Sequence, residues 1–153
     1  EIIVRGKGGH ASRPHIGVDP LLLSAHLLIA VHHIVSRRLD PLESGVITLC
    51  TIHGGTATNV IPDEVKIEGT IRSLNFETRA LLRDELRRAC SVIEALGGSF
   101  DLTIEPYGVG MPTINDAEAT AVTFDGLHKL LGKEQVYEHR PVMGGEDFSA
   151  MLQ

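Results

Sequence analysis

Residues 65–105 read VKIEGTIRSLNFETRALLRDELRRACSVIEALGGSFDLTIE. Val65, Ile67 and Ile71 alternate with Lys66, Glu68, Thr70 and Arg72, the two-residue period of a strand with one wet face. Asn75 then offers a side-chain oxygen to cap a helix from about Phe76 to Leu96. The apolar stripe of that helix runs through Leu82, Leu86, Ala89/Cys90, Ile93 and Leu96, and Gly97-Gly98 stops it. Phe100, Leu102 and Ile104 alternate with Asp101, Thr103 and Glu105, which makes a further strand.

The pattern extends toward the N-terminus. Val46 to Ile52 is a strand rich in β-branched residues, and the loop HGGTATNVIPD (53–63) separates it from the strand at 65. Asp19-Pro20 starts a helix that runs to about Arg38, with Asp as cap, Pro at the first helical position and Arg37 and Arg38 at the negative end. Leu21, Ala25, Leu28, Val31 and Val35 form one stripe, and Leu23, Leu27 and Ile34 widen it. More than one face of this helix therefore seeks cover, in its own core and against a partner. Ile2 to Val4 are strand-like. The order β-α-β-β-α-β predicts an α+β fold, the ferredoxin-like βαββαβ sandwich: a four-stranded antiparallel sheet with two helices on one face. Residues 1–110 form this domain. After it come a helix from Asn115-Asp116 to Leu131, a short strand around Val136 to His139 and the glycine turn MGGEDFS (143–149). These pieces are too few to build a core, so 111–153 read as a partial α/β segment of a second domain.

Composition narrows the function. The 153 residues are 42% hydrophobic and 22% charged, which supports a packed core. Lys plus Arg is 14 and Asp plus Glu is 20, so the net charge is 14 − 20 = −6. With two Tyr, four Phe and no Trp, neither charge nor stacking suits nucleic acid. The longest apolar run, Leu21 to Val35, is broken by Ser24, His26, His32 and His33, so no membrane span is expected. Cys50 and Cys90 have no CxxC spacing and read as free thiols in a reducing compartment, hence a cytoplasmic location.

The chemistry-bearing residues sit in loops and at strand ends. GKGGHASRPHIGVD (6–19) lacks both phosphate-loop patterns. The glycines are expected to turn the backbone at positive φ so that His10 projects from the sheet edge. His10, His15, His53 and His139 form no short metal clip, and His26 and His33, seven apart, read as the polar edge of a helix. Asn59, before Pro62, has a turn role open to it, and Arg72 has a surface pairing with Glu68 open to it. His, Asn and Arg are also the usual means of holding a developing oxyanion and a substrate carboxylate.

The motifs GKGGHASRPHIGVDP (6–20), GGTATNVIPDEVKIEGTIRS (54–73) and MGGEDFS (143–149) share one order and separation. With them the chain resembles the lid, or dimerisation, domain of metal-dependent amidohydrolases of the aminoacylase and carboxypeptidase type, in the branch of hippurate hydrolase and the auxin–amino acid conjugate hydrolases. The resemblance implies a homodimer through the first helix (about 20–38) and an edge strand. His10 would act in trans on the partner's scissile carbonyl. Asn59, Arg72, Gly144 and Gly145 would bind a small amide substrate such as an N-acyl amino acid. Two divalent ions, zinc, manganese or similar, would activate water in the full-length parent. Their ligands fall outside this stretch, so the resemblance implies no metal and no turnover for this chain alone. A non-catalytic ferredoxin-like dimerisation or ligand-sensing module stays open as the alternative. The two readings differ in whether His10, Asn59 and Arg72 converge on one concave surface.

Overall fold

The computed structural model describes residues 1–105 and 111–152. The expected domain boundary, between residues 110 and 111, falls at the edge of residues outside that description. β1 (Ile2–Arg5) leads through the glycine-rich loop, which holds β2 (Gly9–His10), to α1 (Pro20–Arg37). β3 (Gly45–His53), β4 (Val60–Ile61) and β5 (Glu64–Ser73) follow, then α2 (Phe76–Ala95) and β6 (Ser99–Leu102). The main sheet is antiparallel in the order β3-β5-β1-β6, and β2 and β4 form a separate two-stranded ribbon. The predicted βαββαβ arrangement is present; the ribbon is an addition to it.

Local chemistry sets both helices. Asp19 accepts a hydrogen bond from the Leu21 amide at 2.9 Å, ahead of Pro20 at the first helical position. Asn75 accepts one from the Thr78 amide at 2.7 Å, and its Nδ2 donates to Glu43 at 2.8 Å. Glu43 also accepts from the Thr78 hydroxyl at 3.1 Å, so the start of α2 is tied to the loop before β3. Both helices lie on one face of the sheet. Leu23, Leu27, Val31 and Ile34 of α1 and Leu82, Leu86, Cys90 and Ile93 of α2 enclose Ile2, Val4, Ile47, Val65 and Ile67. Each such side chain contributes roughly 1.5–3 kcal/mol of burial free energy.

Among the described residues α1 is the one helix long and apolar enough by composition to cross a bilayer, which qualifies the expectation from its histidines. Its buried stripe nevertheless forms half the core's roof, while Leu22 (59% exposed) and Ile29 (73%) are left uncovered on the other side. At its end Arg38 grips Glu85 of α2 with two hydrogen bonds of 3.0 and 3.1 Å.

β3 and β5 share a long ladder with a bulge at Cys50, where Leu49 pairs with Gly69 and Thr51 with Glu68. A Cβ on Gly69 would collide with the carbonyl oxygen of Thr48, so the bulge requires glycine there. Two expectations are corrected. β6 ends at Leu102, short of Ile104 and Glu105, because β1 pairs with it only from Ile2. No strand forms at Val136–His139: a 3-10 turn, Lys133–Gln135, follows α3 (Ala117–Leu131), and among the described residues no strand lies alongside to pair with it. α3 buries none of its residues.

Two outcomes follow from the packing. Burial pushes the Cys90 thiol up to about 11, whereas Cys50 is exposed. At about pH 8 a thiol reagent is expected to label Cys50 in the native chain and both cysteines in urea; fast labelling of Cys90 before unfolding would contradict this packing. The hydrogen bonds from Arg38, then its charge and that of Arg88, hold the Glu85 carboxyl below its ordinary value against the opposing effect of burial. A depressed carboxylate pKa stabilises the fold above the unfolded value of about 4.3 and loses that contribution as pH falls through the folded value. The urea midpoint should therefore drop below about pH 4.3, and Glu85→Gln should flatten that drop.

Candidate functional site

The first loop is built on close backbone contacts. The Gly6 amide donates to the Asp63 carbonyl at 2.9 Å, and the Gly8 amide to the Asp63 carboxylate at 2.9 Å. Lys7 and Val18 exchange backbone bonds of 2.8 and 2.9 Å across the loop's neck. The expectation of positive φ in this loop is corrected: among the described residues only Gly55, Gly97 and Gly132 adopt it. Gly6 and Gly8 are needed for a different reason. A Cβ on Gly6 would strike the Val18 carbonyl oxygen, and one on Gly8 would lie 2.5 Å from that of Ile61.

These contacts set the β2–β4 ribbon, in which Gly9 faces Ile61 and His10 faces Val60. The Ala11 amide then donates to the Asn59 carbonyl at 2.9 Å, so His10 and Asn59 lie at one end of one ribbon. Nδ1 of His10 accepts from the Ser12 amide at 3.1 Å and contacts the Ser12 hydroxyl at 2.8 Å. An amide can only donate, so the neutral ring carries its proton on Nε2, which leaves an N–H donor pointing outward. His10 and Asn59 are both exposed, and the Asn59 side chain has no partner among the described residues.

Arg72 lies elsewhere. It sits near the far end of β5, with Lys66, Glu68 and Thr70 on the face that the helices leave open. At about 3.3 Å per residue this 10-residue strand spans about 30 Å. Glu68 does not pair with Arg72: it is held by Lys66 at 3.0 Å and the Thr51 hydroxyl at 3.4 Å. The one hydrogen bond of Arg72 among the described residues goes to the Ile71 carbonyl at 3.0 Å. Its guanidinium therefore has no carboxylate partner there. Arg79 stands close by, its pKa lowered by burial and then by the charges of Arg83 and Arg72. Arg72, Ser73 and Leu74 border a 160 Å³ pocket that is also lined by Met111, Pro112 and Thr113 and by the tail segment Pro141 to Gly144. Gly145 follows that segment, and Glu146 caps the next turn through the Phe148 amide at 3.0 Å.

The structure thus brings together His10 with Asn59, and Arg72 with Gly144, as two pairs at opposite ends of β5. Within one chain they do not converge on one surface. The ribbon was not anticipated, since two-residue strands are too short to show a period; its signal was the glycine pair facing NVIPD. Among the described residues no three His, Cys, Asp or Glu side chains gather closely enough to hold a metal ion. The residues present do not fit a dinuclear metal centre.

A family model described as the peptidase dimerisation domain matches residues 1–95. Thermostable carboxypeptidase 1 of Saccharolobus solfataricus is 39% identical over 157 residues, covering 100% of this chain and 38% of that protein. N-acetyl-L-cysteine deacetylase of Bacillus subtilis is 37% identical over 155 residues, covering 100% of this chain and 36% of that protein. The crystal structure of a provisionally assigned aminohydrolase from methicillin-resistant Staphylococcus aureus superposes with a TM-score of 0.81 at 33% identity, covering 99% of this chain and 39% of that one. The chain spans about two-fifths of the length of the curated relatives it matches.

The ribbon depends on Gly8 while the core does not touch it. Gly8→Ala is expected to speed hydrogen exchange at the Ala11 amide by at least about tenfold and to leave the thermal midpoint of the sheet nearly unchanged. An unaltered Ala11 amide would show that the ribbon tolerates the extra carbon.

Proposed function

The chain belongs to the family of peptidase dimerisation domains, and from that premise we propose that it is the lid of an amidohydrolase whose active centre is assembled from two subunits. The substrate class is an N-acyl amino acid or a small peptide-like amide. One subunit supplies His10 and Asn59; the other supplies Arg72 with the Gly144-Gly145 turn. The observation that carries this reading is the placement of the two pairs at opposite ends of one strand about 30 Å long. A small substrate cannot reach both ends of one lid. A two-fold axis reverses one copy against the other and lays the His10 end of one beside the Arg72 end of the next.

The surface for such a pairing is at hand. Among the described residues β3 is an edge strand with one side unpaired, and α1 exposes Leu22, His26, Ile29 and His33 along one line. Joining two β3 edges would extend the sheet across both subunits and cover the apolar stripe of α1. The two free thiols suit a reducing, cytoplasmic setting.

Each residue then has a defined task. The Nε2–H of His10 donates to the amide carbonyl oxygen as negative charge grows on it. The Asn59 amide adds a second polar contact to the substrate. Arg72, a two-pronged donor with no carboxylate of its own, receives the substrate's free carboxylate. The backbone of Gly144 and Gly145 lines the same pocket without a side chain to fill it. The divalent metal ions that the family resemblance implies belong, on this reading, to the rest of the protein.

In the whole protein, His10→Ala is expected to cut turnover by about 10²–10³-fold, or ~3–4 kcal/mol. A sharper test mixes His10→Ala subunits with Arg72→Ala subunits. A hybrid dimer holds one doubly damaged site and one intact site, so random mixing should restore about a quarter of the wild-type rate. A mixture that forms hybrids yet stays as slow as either parent would place both residues in the same subunit's site and refute the proposal.

A further inference from the structure

Ser12 stands two residues beyond His10 and touches its ring twice. Residues 10–13 form a tight turn, closed by the Arg13 amide, which donates to the His10 carbonyl at 2.9 Å. Inside that turn the Ser12 amide donates to Nδ1 of His10 at 3.1 Å. Asp and Asn commonly accept the amide two residues on in this way; here an imidazole nitrogen takes the place of their oxygen. The Ala11 amide, in the middle of the turn, is engaged by the Asn59 carbonyl at 2.9 Å, which pins the turn to the chain just before β4.

The Ser12 hydroxyl makes the second contact to the same nitrogen, at 2.8 Å. Its direction follows from the first. Nδ1 already accepts from an amide, which cannot reverse its role, so the nitrogen carries no proton and the hydroxyl donates. One backbone donor and one side-chain donor of a single residue thus converge on one ring nitrogen. Moving the ring proton from Nε2 to Nδ1 would press one N–H against another. Turning the ring over would put a carbon where Nδ1 stands and lose both bonds. The two contacts therefore select the position of the proton and the orientation of the ring together.

We propose that Ser12 is the positioning residue of His10: its amide and hydroxyl hold the imidazole in one orientation as an Nε2–H donor. The inference rests on the reading of His10 as the donor to the substrate's carbonyl oxygen. A ring held in this way has an N–H to give, while its one lone pair is already shared, which suits hydrogen-bond donation rather than proton abstraction. The same sharing argues against Ser12 as a nucleophile with His10 as its base, because the lone pair that would take the serine proton is also bound to an amide.

The test uses the whole protein with isotope-labelled imidazole nitrogens. The native His10 ring should show a bare Nδ1 and a protonated Nε2 by NMR. Ser12→Ala keeps the amide and deletes the hydroxyl. It is expected to shift the Nδ1 signal and to lower turnover by about fivefold, with the loss falling on kcat rather than KM. Ser12→Thr, which restores a hydroxyl, should recover most of both. In the His10→Ala protein, Ser12→Ala should cost nothing further, since the two residues act as one unit. An unchanged ring signal in Ser12→Ala overturns the proposal, as does the same fivefold loss in the His10→Ala protein. A loss of about 10⁴-fold or more on Ser12→Ala overturns it in favour of a serine nucleophile. A changed ring signal with an unchanged rate supports the hold of Ser12 and refutes the role given to His10, so the two readings fail separately.

Discussion

The register of β5 is the constraint on which the rest of the structure depends. This strand alone pairs with β3 on one side and β1 on the other. Val65 and Ile67 must face the helices for the core to close, and a slip of one residue would turn both to water. The same register fixes which way Arg72 points and where Asp63 stands. Asp63 in turn holds Gly6 and Gly8, and through them the ribbon that carries His10. One ladder therefore places both ends of the candidate site, and the distance between those ends is a property of the ladder.

What the sequence discloses depends on the length of the element. Strands and helices of ten or more residues leave a period, and β5, α1 and α2 could be read within a residue or two of their true ends. The β2–β4 ribbon leaves none, because two residues per strand make no pattern and its stability comes from contacts between segments far apart in the chain. For the same reason His10 and Asn59 could be named one by one while their juxtaposition could not. The glycines were legible as necessary but not for the right cause. Sequence suggests unusual dihedrals, whereas the structure shows ordinary dihedrals and carbonyl oxygens pressed close. Val136 to His139 failed in the opposite way: a local strand pattern with no neighbouring strand remains coil.

α1 shows how one helix meets two demands. Its buried stripe roofs the sheet beside α2, and the Arg38–Glu85 grip fixes the spacing between the two helices. Its outer line, Leu22, His26, Ile29 and His33, has no cover among the described residues. A composition that by itself suggests a bilayer is thereby divided between a core and an outward face, and the polar histidines fall on the outward side.

The glycine-rich loop separates two properties that are often treated as one, surface position and tolerance of change. Gly6, Gly8 and Gly9 are all only partly covered. Gly9 has open space where a side chain would go, while Gly6 and Gly8 abut backbone oxygen that no rotamer can avoid. A survey of variants across this loop would thus show an alternating profile. Two positions would reject a side chain through the loop's own backbone, without involving the core, and the one between them and His10 would behave like any residue on the outside of a protein.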